Sequence, residues 1–247
     1  MRVFDVLGTP LLATTYQELT AECQRLARSG GTWAIDFSNT HTVTLRRHDS
    51  QFRRLTHCFD LVLPDGMPLV WCLNRHGANL TDRVYGPTFM RKILEDHSRS
   101  ATHYLIGGSQ ECGLQLRNRF PQARIVGAFH GQCSGEGILE GTEDERVIAE
   151  INHLGPDFIW VGLGTPKQYE WINRNKSRIN HGVLLAVGFA FDVNAGTKAD
   201  APEWMQRRGL TWLFRALSEP RRLPMRYLRY NSLFLSYLLK DALIKSP

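Results

Sequence analysis

The chain of 247 residues is 43% hydrophobic and 22% charged, with a formal net charge of +6; this composition excludes a disordered or fibrous protein and suffices for one large core, with or without an appendage. Five cysteines (Cys23, Cys58, Cys72, Cys112, Cys133), odd in number and without a C-x-x-C pair, exclude a disulfide framework and a structural zinc site. Asp5 and Gly8 stand where a signal peptide needs an apolar run, and no stretch approaches the ~20 apolar residues of a membrane span, so a reduced, cytoplasmic setting is expected.

In chain order, "TYQELTAECQRLARSGG" predicts a helix capped by Thr15 and stopped at Gly30-Gly31. Apolar runs at 32–37 (TWAIDF), 59–63 (FDLVL), 102–107 (THYLIG), 123–129 (ARIVGAF), 157–164 (DFIWVGLG) and 182–192 (GVLLAVGFAFD) predict strands, several of them apolar on both faces. Helix-period segments such as "TEDERVIAEINHLG", with Thr142 and Glu145 spaced as a capping box, separate them. The alternation predicts an α/β fold, a doubly wound, mostly parallel Rossmann-like sheet covered on both sides.

From about Glu203 strand signals cease, and two or three short helices broken near Pro220 and Pro224 are expected. Residues 206–247 hold seven arginines and two lysines against Glu219 and Asp241, a net +7, which leaves the preceding residues at −1. The domain reading is therefore an α/β catalytic unit over 1–205 and a basic helical appendage over 206–247, whose charge calls for an anionic partner. A long nucleic acid fits poorly, because the tail arginines alternate with large apolar side chains and the body is acidic. An aromatic stripe (Tyr227, Tyr230, Phe234, Tyr237) suits either core packing or a bilayer interface.

Ligands of open α/β sheets bind off the carboxyl ends of the strands. Asp65 sits there, in Pro64-Asp65-Gly66 ahead of a helix with Pro68 in its first turn, and reads either as a cap of that helix or as a catalytic carboxylate. Gly107 and Gly108, then Gly162 and Gly164 with Lys167, then Gly188 with Asp192, follow three further strands. Glycine-lined helix starts present backbone N–H groups to phosphate oxygens, and a lysine just inside adds charge, so a nucleotide-type ligand is expected. The chain has no Asp-x-Asp and no H-E-x-x-H, so no metal and no cofactor is expected, and Arg83 with the tail arginines is left to neutralise a diphosphate. A Rossmann-type oxidoreductase or methyltransferase is the alternative, against which stands the missing G-x-G-x-x-G fingerprint.

The segments "LPDG" (63–66), "DRVYGP" (82–87), "VGLGTPKQ" (161–168) followed by Trp171, "VGFAFDVNAG" (187–196), "AP" (201–202) and "RRGLTWLFRALSEPRR" (207–222) resemble, in order and spacing, the WecG/TagA/CpsF family, glycosyltransferase family 26. The resemblance implies an inverting, metal-independent glycosyltransferase moving a sugar from a UDP-sugar donor to a polyprenyl-diphosphate-linked glycan acceptor in bacterial cell-surface or exopolysaccharide synthesis. It implies a protein bound peripherally to the anionic inner face of the membrane, and leaves homo-oligomerisation open. It puts the base at Asp65, phosphate-stabilising arginines at Arg83, Arg215, Arg221 or Arg222, with Arg226 a further candidate, and donor contacts at Gln168. The chain departs from the family pattern at Phe37-Ser38-Asn39, where a hydroxyl near the base is lost or supplied by Ser38 and Asn39 is kept, at Tyr169 in place of an acid, and at Thr211. Glucose, glucuronate and N-acetylmannosamine donors all remain compatible with those departures.

Overall fold

The computed structural model describes residues 1–96, 101–130 and 142–244; Cys133, Lys245 and the side chain of the predicted cap Thr142 lie outside them. The chain opens with an antiparallel hairpin, β1 (Arg2–Val6) and β2 (Thr9–Ala13), which the sequence reading does not anticipate. Its two-residue turn, Leu7-Gly8, has φ of 56° and 80°, the backbone that a tight hairpin needs, but carries Leu where Asn or Asp usually signals it.

Helix α1 (Tyr16–Arg28) then leads into β3 (Gly31–Ser38), with Thr15 and Glu18 forming the capping box. There follow α2 (Thr40–His48), α3 (Ser50–Leu55), β4 (Leu61–Pro64), α4 (Met67–Arg75), α5 (Gly86–Glu95), β5 (Thr102–Gly107), α6 (Gln110–Arg119) and β6 (Arg124–Phe129). Helix α7 (Thr142–Leu154), β7 (Phe158–Gly162), α8 (Lys167–Asn175), β8 (His181–Ala186) and α9 (Ala190–Ala195) complete the α/β part. The run predicted as one strand over 182–192 is thus split: β8 stops at Ala186, Gly188 turns with φ of 48°, and the rest becomes α9.

Strands β3 to β8 form a six-stranded, all-parallel sheet in the order β4-β3-β8-β7-β5-β6. Strand alternation divides the core cleanly between its two faces. Ala34, Val62, Ile106, Ile159, Val161 and Leu184 pack with α2, α3, α4, α7 and α8 on one side. Ile35, Leu63, Leu105, Trp160, Val183 and Leu185 pack with α1, α5, α6 and α9 on the other. The architecture is the Rossmann-like α/β sheet expected of continuous apolar strands.

The last part forms three helices, α10 (Glu203–Arg207), α11 (Thr211–Ser218) and α12 (Pro224–Ile244). Pro224 begins α12 rather than breaking it, since proline at a helix start gives up only an N–H with no intrahelical partner. Helix α12 lies along α2. Phe234 is buried in the core, Thr40 Oγ1 meets Asn231 Oδ1 at 2.9 Å, and Arg47 forks onto both Asp241 oxygens at 2.7 Å.

Candidate active site

The carboxyl ends of β4, β3, β8 and β7 open into a cavity of about 880 Å³, closed from above by α11 and α12. Asp65 lies in its wall. The cap reading of this residue does not hold: α4 starts at Gly66 with no side-chain cap, and the Asp65 carboxylate instead accepts the Gly86 N–H at 2.7 Å, at the start of α5. Its backbone N–H donates to Ser38 O at 2.7 Å, which fastens the Asp65 loop to the end of β3. The carboxylate is half-buried and reached through the cavity. Burial pushes its pKa up to about 6; Arg83, the Gly86 N–H and Arg215 pull the other way, while Asp36 adds to the rise. A carboxylate held there is poised to take a proton near neutral pH.

Around it the cavity is lined by Arg75, Arg83, Lys167, Lys198, Arg215, Arg222 and Arg226, against Asp65, Asp192 and Glu219 as the only carboxylates among the lining residues. Arg83 is buried, lies 3.8 Å over the Tyr85 ring and donates to Gln206 Oε1 at 2.9 Å. Gln206 and Tyr85 both donate to Asp200, so one network ties β4's following loop to α10 and fixes the guanidinium. Arg215 lies 3.9 Å over the Phe189 ring. Asp192 pairs with Lys198 at 3.2 Å, and Glu219 is held by Arg222, leaving Asp65 as the lining carboxylate without an ion pair among the described residues. His41 packs edge-on to Tyr230, and burial with the Arg226 charge holds its pKa down at about 3, so it is a neutral imidazole.

Four buried polar atoms of lining residues have no hydrogen-bond partner: Gln168 Oε1, Thr211 Oγ1, Arg215 Nε and Arg226 Nε. Buried polar groups are nearly always satisfied, so four orphans around one cavity mark it as built for a polar ligand. The lining's seven cations against three carboxylates suit an anion.

The sequence model of the glycosyl transferase WecG/TagA/CpsF family matches residues 4–247. The chain belongs to that family. Two curated relatives, the N-acetylglucosaminyldiphosphoundecaprenol N-acetyl-beta-D-mannosaminyltransferases of Staphylococcus aureus strains MRSA252 and MW2, are each 27% identical to it over 226 residues, covering 89% of this chain and 86% of theirs.

In this WecG/TagA/CpsF member the fold brings together Asp65, Arg83, Asn39, Gly162, Gly164, Lys167, Gln168, Gly188, Asp192, Arg215 and Arg222, all predicted site residues and all in the cavity lining. Four others stand apart. Ser38 is fully buried and turned from Asp65, since period-2 alternation puts it on the same face of β3 as Asp36, to which its hydroxyl donates. Gly107 and Gly108 lie outside the lining: Gly107 backs onto Gly162 and Leu163, and Gly108 packs against Phe191 of α9 and Cys112. Arg221 is exposed outside the lining, whereas Arg222, also exposed, borders the cavity and pairs with Glu219. The role of Tyr85, Asp200 and Gln206 in holding Arg83 is not visible in the sequence, which separates Arg83 from Gln206 by 123 positions.

Proposed function

We propose that this glycosyltransferase transfers a sugar from a UDP-sugar to a polyprenyl-diphosphate-linked saccharide, with inversion and without a metal, at an anionic membrane surface. The observation that carries the reading is the lone unpaired carboxylate, Asp65, in a cavity otherwise rich in guanidinium and ammonium groups. The acceptor hydroxyl approaches Asp65, which takes its proton as the oxygen bonds to the anomeric carbon. The bond from that carbon to the diphosphate breaks, and its electron pair leaves on the phosphate oxygen. Arg83 and Arg215, both pre-held by aromatic faces, meet the growing negative charge, and the start of α8 with Lys167 offers N–H groups and a cation to the phosphates. With a single free carboxylate, one displacement and hence inversion is the chemistry that the site favours. The curated relatives' printed activity, on a diphosphoundecaprenol-linked acceptor, supports an acceptor of the same class.

Incubating the chain with a panel of UDP-sugars and a short-chain polyprenyl-diphosphate saccharide in excess EDTA should yield a lengthened acceptor of inverted anomeric configuration. Among the described residues there is no group of three His, Cys, Asp or Glu side chains placed to hold a metal. Loss of product on chelation, restored by magnesium or manganese, would overturn the guanidinium assignment. Arg215→Ala should lower kcat by about 100- to 1,000-fold, the usual effect of removing one pre-placed stabiliser of developing charge. Arg215→Lys should recover part of that, and a loss under about 3-fold in a folded Ala variant would remove Arg215 from the leaving-group site.

A further inference from the structure

Behind the cavity wall four polar side chains meet in the core. Asp36, Ser38 and Tyr169 are 0%, 0% and 1% exposed, and Arg46 is 5% exposed. Arg46 donates to Asp36 Oδ2 and to Ser38 Oγ, each at 2.5 Å; Ser38 Oγ donates to Asp36 Oδ2 at 2.5 Å, and Tyr169 OH donates to Asp36 Oδ1 at 2.6 Å. Phe52 and Phe59 pack on the Tyr169 ring at 4.9 and 5.4 Å, so water is kept out.

A buried ion pair is a poor way to gain stability, since apolar residues of similar volume often serve as well or better. Its use must be sought in what it joins. Asp36 and Ser38 end β3, Arg46 comes from α2, and Tyr169 from the first turn of α8. Each is coupled to a part of the cavity. Ser38 O holds the Asp65 N–H, Asn39 caps α2 and lines the cavity together with Thr40, His41 and Thr42, and Lys167 and Gln168 precede Tyr169. We propose that Asp36, Ser38, Arg46 and Tyr169 form the positioning centre of this site, fixing the base loop, the start of α2 and the start of α8 to one another. None of the four is a catalytic residue; they act through Asp65, Gln168 and the α2 cap. The proposal rests on Asp65 being the base.

A second consequence follows from charge. The groups that face Asp65 electrostatically are Arg83, Arg215, Asp36 and the Gly86 N–H, with Tyr85 also nearby. Removing the Asp36 charge leaves Arg46 uncompensated and favours the Asp65 carboxylate; removing the Arg46 charge does the reverse.

The test is the pH dependence of kcat/KM for transfer by the full-length protein in Asp36→Asn, Arg46→Met and the double variant, with UDP-dependent thermal shifts reporting the fold. The acidic limb should move down in Asp36→Asn and up in Arg46→Met, each by roughly half a unit, less than the 1–3 units of a charge in direct contact. In the double variant the limb should return to its wild-type place while kcat falls about 10- to 100-fold, as misplacement of the walls requires. A purely structural cluster would not move the limb in opposite directions. Shifts of one sign, or no shift with unchanged kcat, would overturn the proposal. If the single variants do not fold, the double variant decides: a wild-type kcat overturns it, as does a loss of kcat accompanied by loss of UDP affinity or thermal stability, and a kcat reduced at wild-type UDP affinity and thermal stability supports it. An acidic limb that survives Asp65→Asn would reject Asp65 as the base, and the double variant's kcat would still test the cluster.

Discussion

Asp65→Asn should keep the fold and nucleotide affinity and lower kcat about 100- to 10,000-fold, the range over which a general base contributes. The amide preserves the shape of the side chain, and its oxygen still accepts the Gly86 N–H that orients the loop. It cannot take a proton from the acceptor hydroxyl. In the wild type, kcat/KM should fall as pH drops below about 6, the pKa to which burial raises this group, because only the carboxylate form acts. That limb should vanish in the variant. Stability supplies an independent reading. A carboxyl whose folded pKa lies above its unfolded value favours the folded state at low pH, and that contribution is lost as pH rises through about 6. The neutral amide escapes the loss. The variant should therefore melt above the wild type at pH 8, with the gap closing as pH falls through 6 towards 4. Higher thermal stability together with lost turnover marks a group held in a strained state of charge for function. Near-normal turnover in the folded variant would assign Asp65 to holding α5 alone.

How far the sequence carries the reader differs between the sheet and the site. The six parallel strands are visible because they are apolar runs, several of them on both faces, a pattern that few other arrangements produce. The β1–β2 hairpin escapes because its turn is Leu7-Gly8, and Leu in the left-handed region carries no compositional signal. Helices α2 and α3 escape because "THTVTLRRHDSQFRRL" is mostly polar, its apolar face being narrowed by Arg46 and Thr44, which are buried and bonded. For the site, a carboxylate after a strand is a local feature and shows. Its partner is not local: Gly86 lies 21 positions on, and only the packing of α5 against β4 brings them together. Ser38 shows the opposite failure. Its place beside Asn39 suggests a hydroxyl near the base, and the pleat turns it to the other face, where Asp36 and Arg46 claim it. Glycines after strands point to a crevice but not to which strands share it; here the end of β5 packs on Gly162 and Leu163 instead of entering the cavity lining.

Replacing Leu228, Leu239 and Leu243 together by Glu should release the protein from vesicles containing anionic phospholipid while UDP binding stays unchanged. These residues are 65%, 67% and 77% exposed, and with Met225 and Leu235 they form one exposed apolar face of α12. Arg221, Arg222, Arg229 and Lys240 flank it, all exposed. An apolar face with a basic border suits a helix lying in the plane of a membrane interface. Among the described residues no helix is long and apolar enough to cross a membrane. Each basic side chain near an anionic leaflet contributes about 1 kcal/mol, and each glutamate in the variant opposes it while removing an exposed leucine that the bilayer interface would bury, so partitioning should fall by at least about 100-fold. Deleting α12 would be a worse test, because Phe234 fills the core and Arg226, Tyr227 and Asn231 line the cavity. The three leucines lie outside that lining, so a short-chain, water-soluble acceptor should still be glycosylated by the variant at the wild-type rate, whereas a long-chain acceptor held in vesicles should not. Vesicle binding unaffected by the three substitutions would remove α12 from the membrane, and binding no stronger to anionic than to neutral vesicles would leave the basic border without a role there.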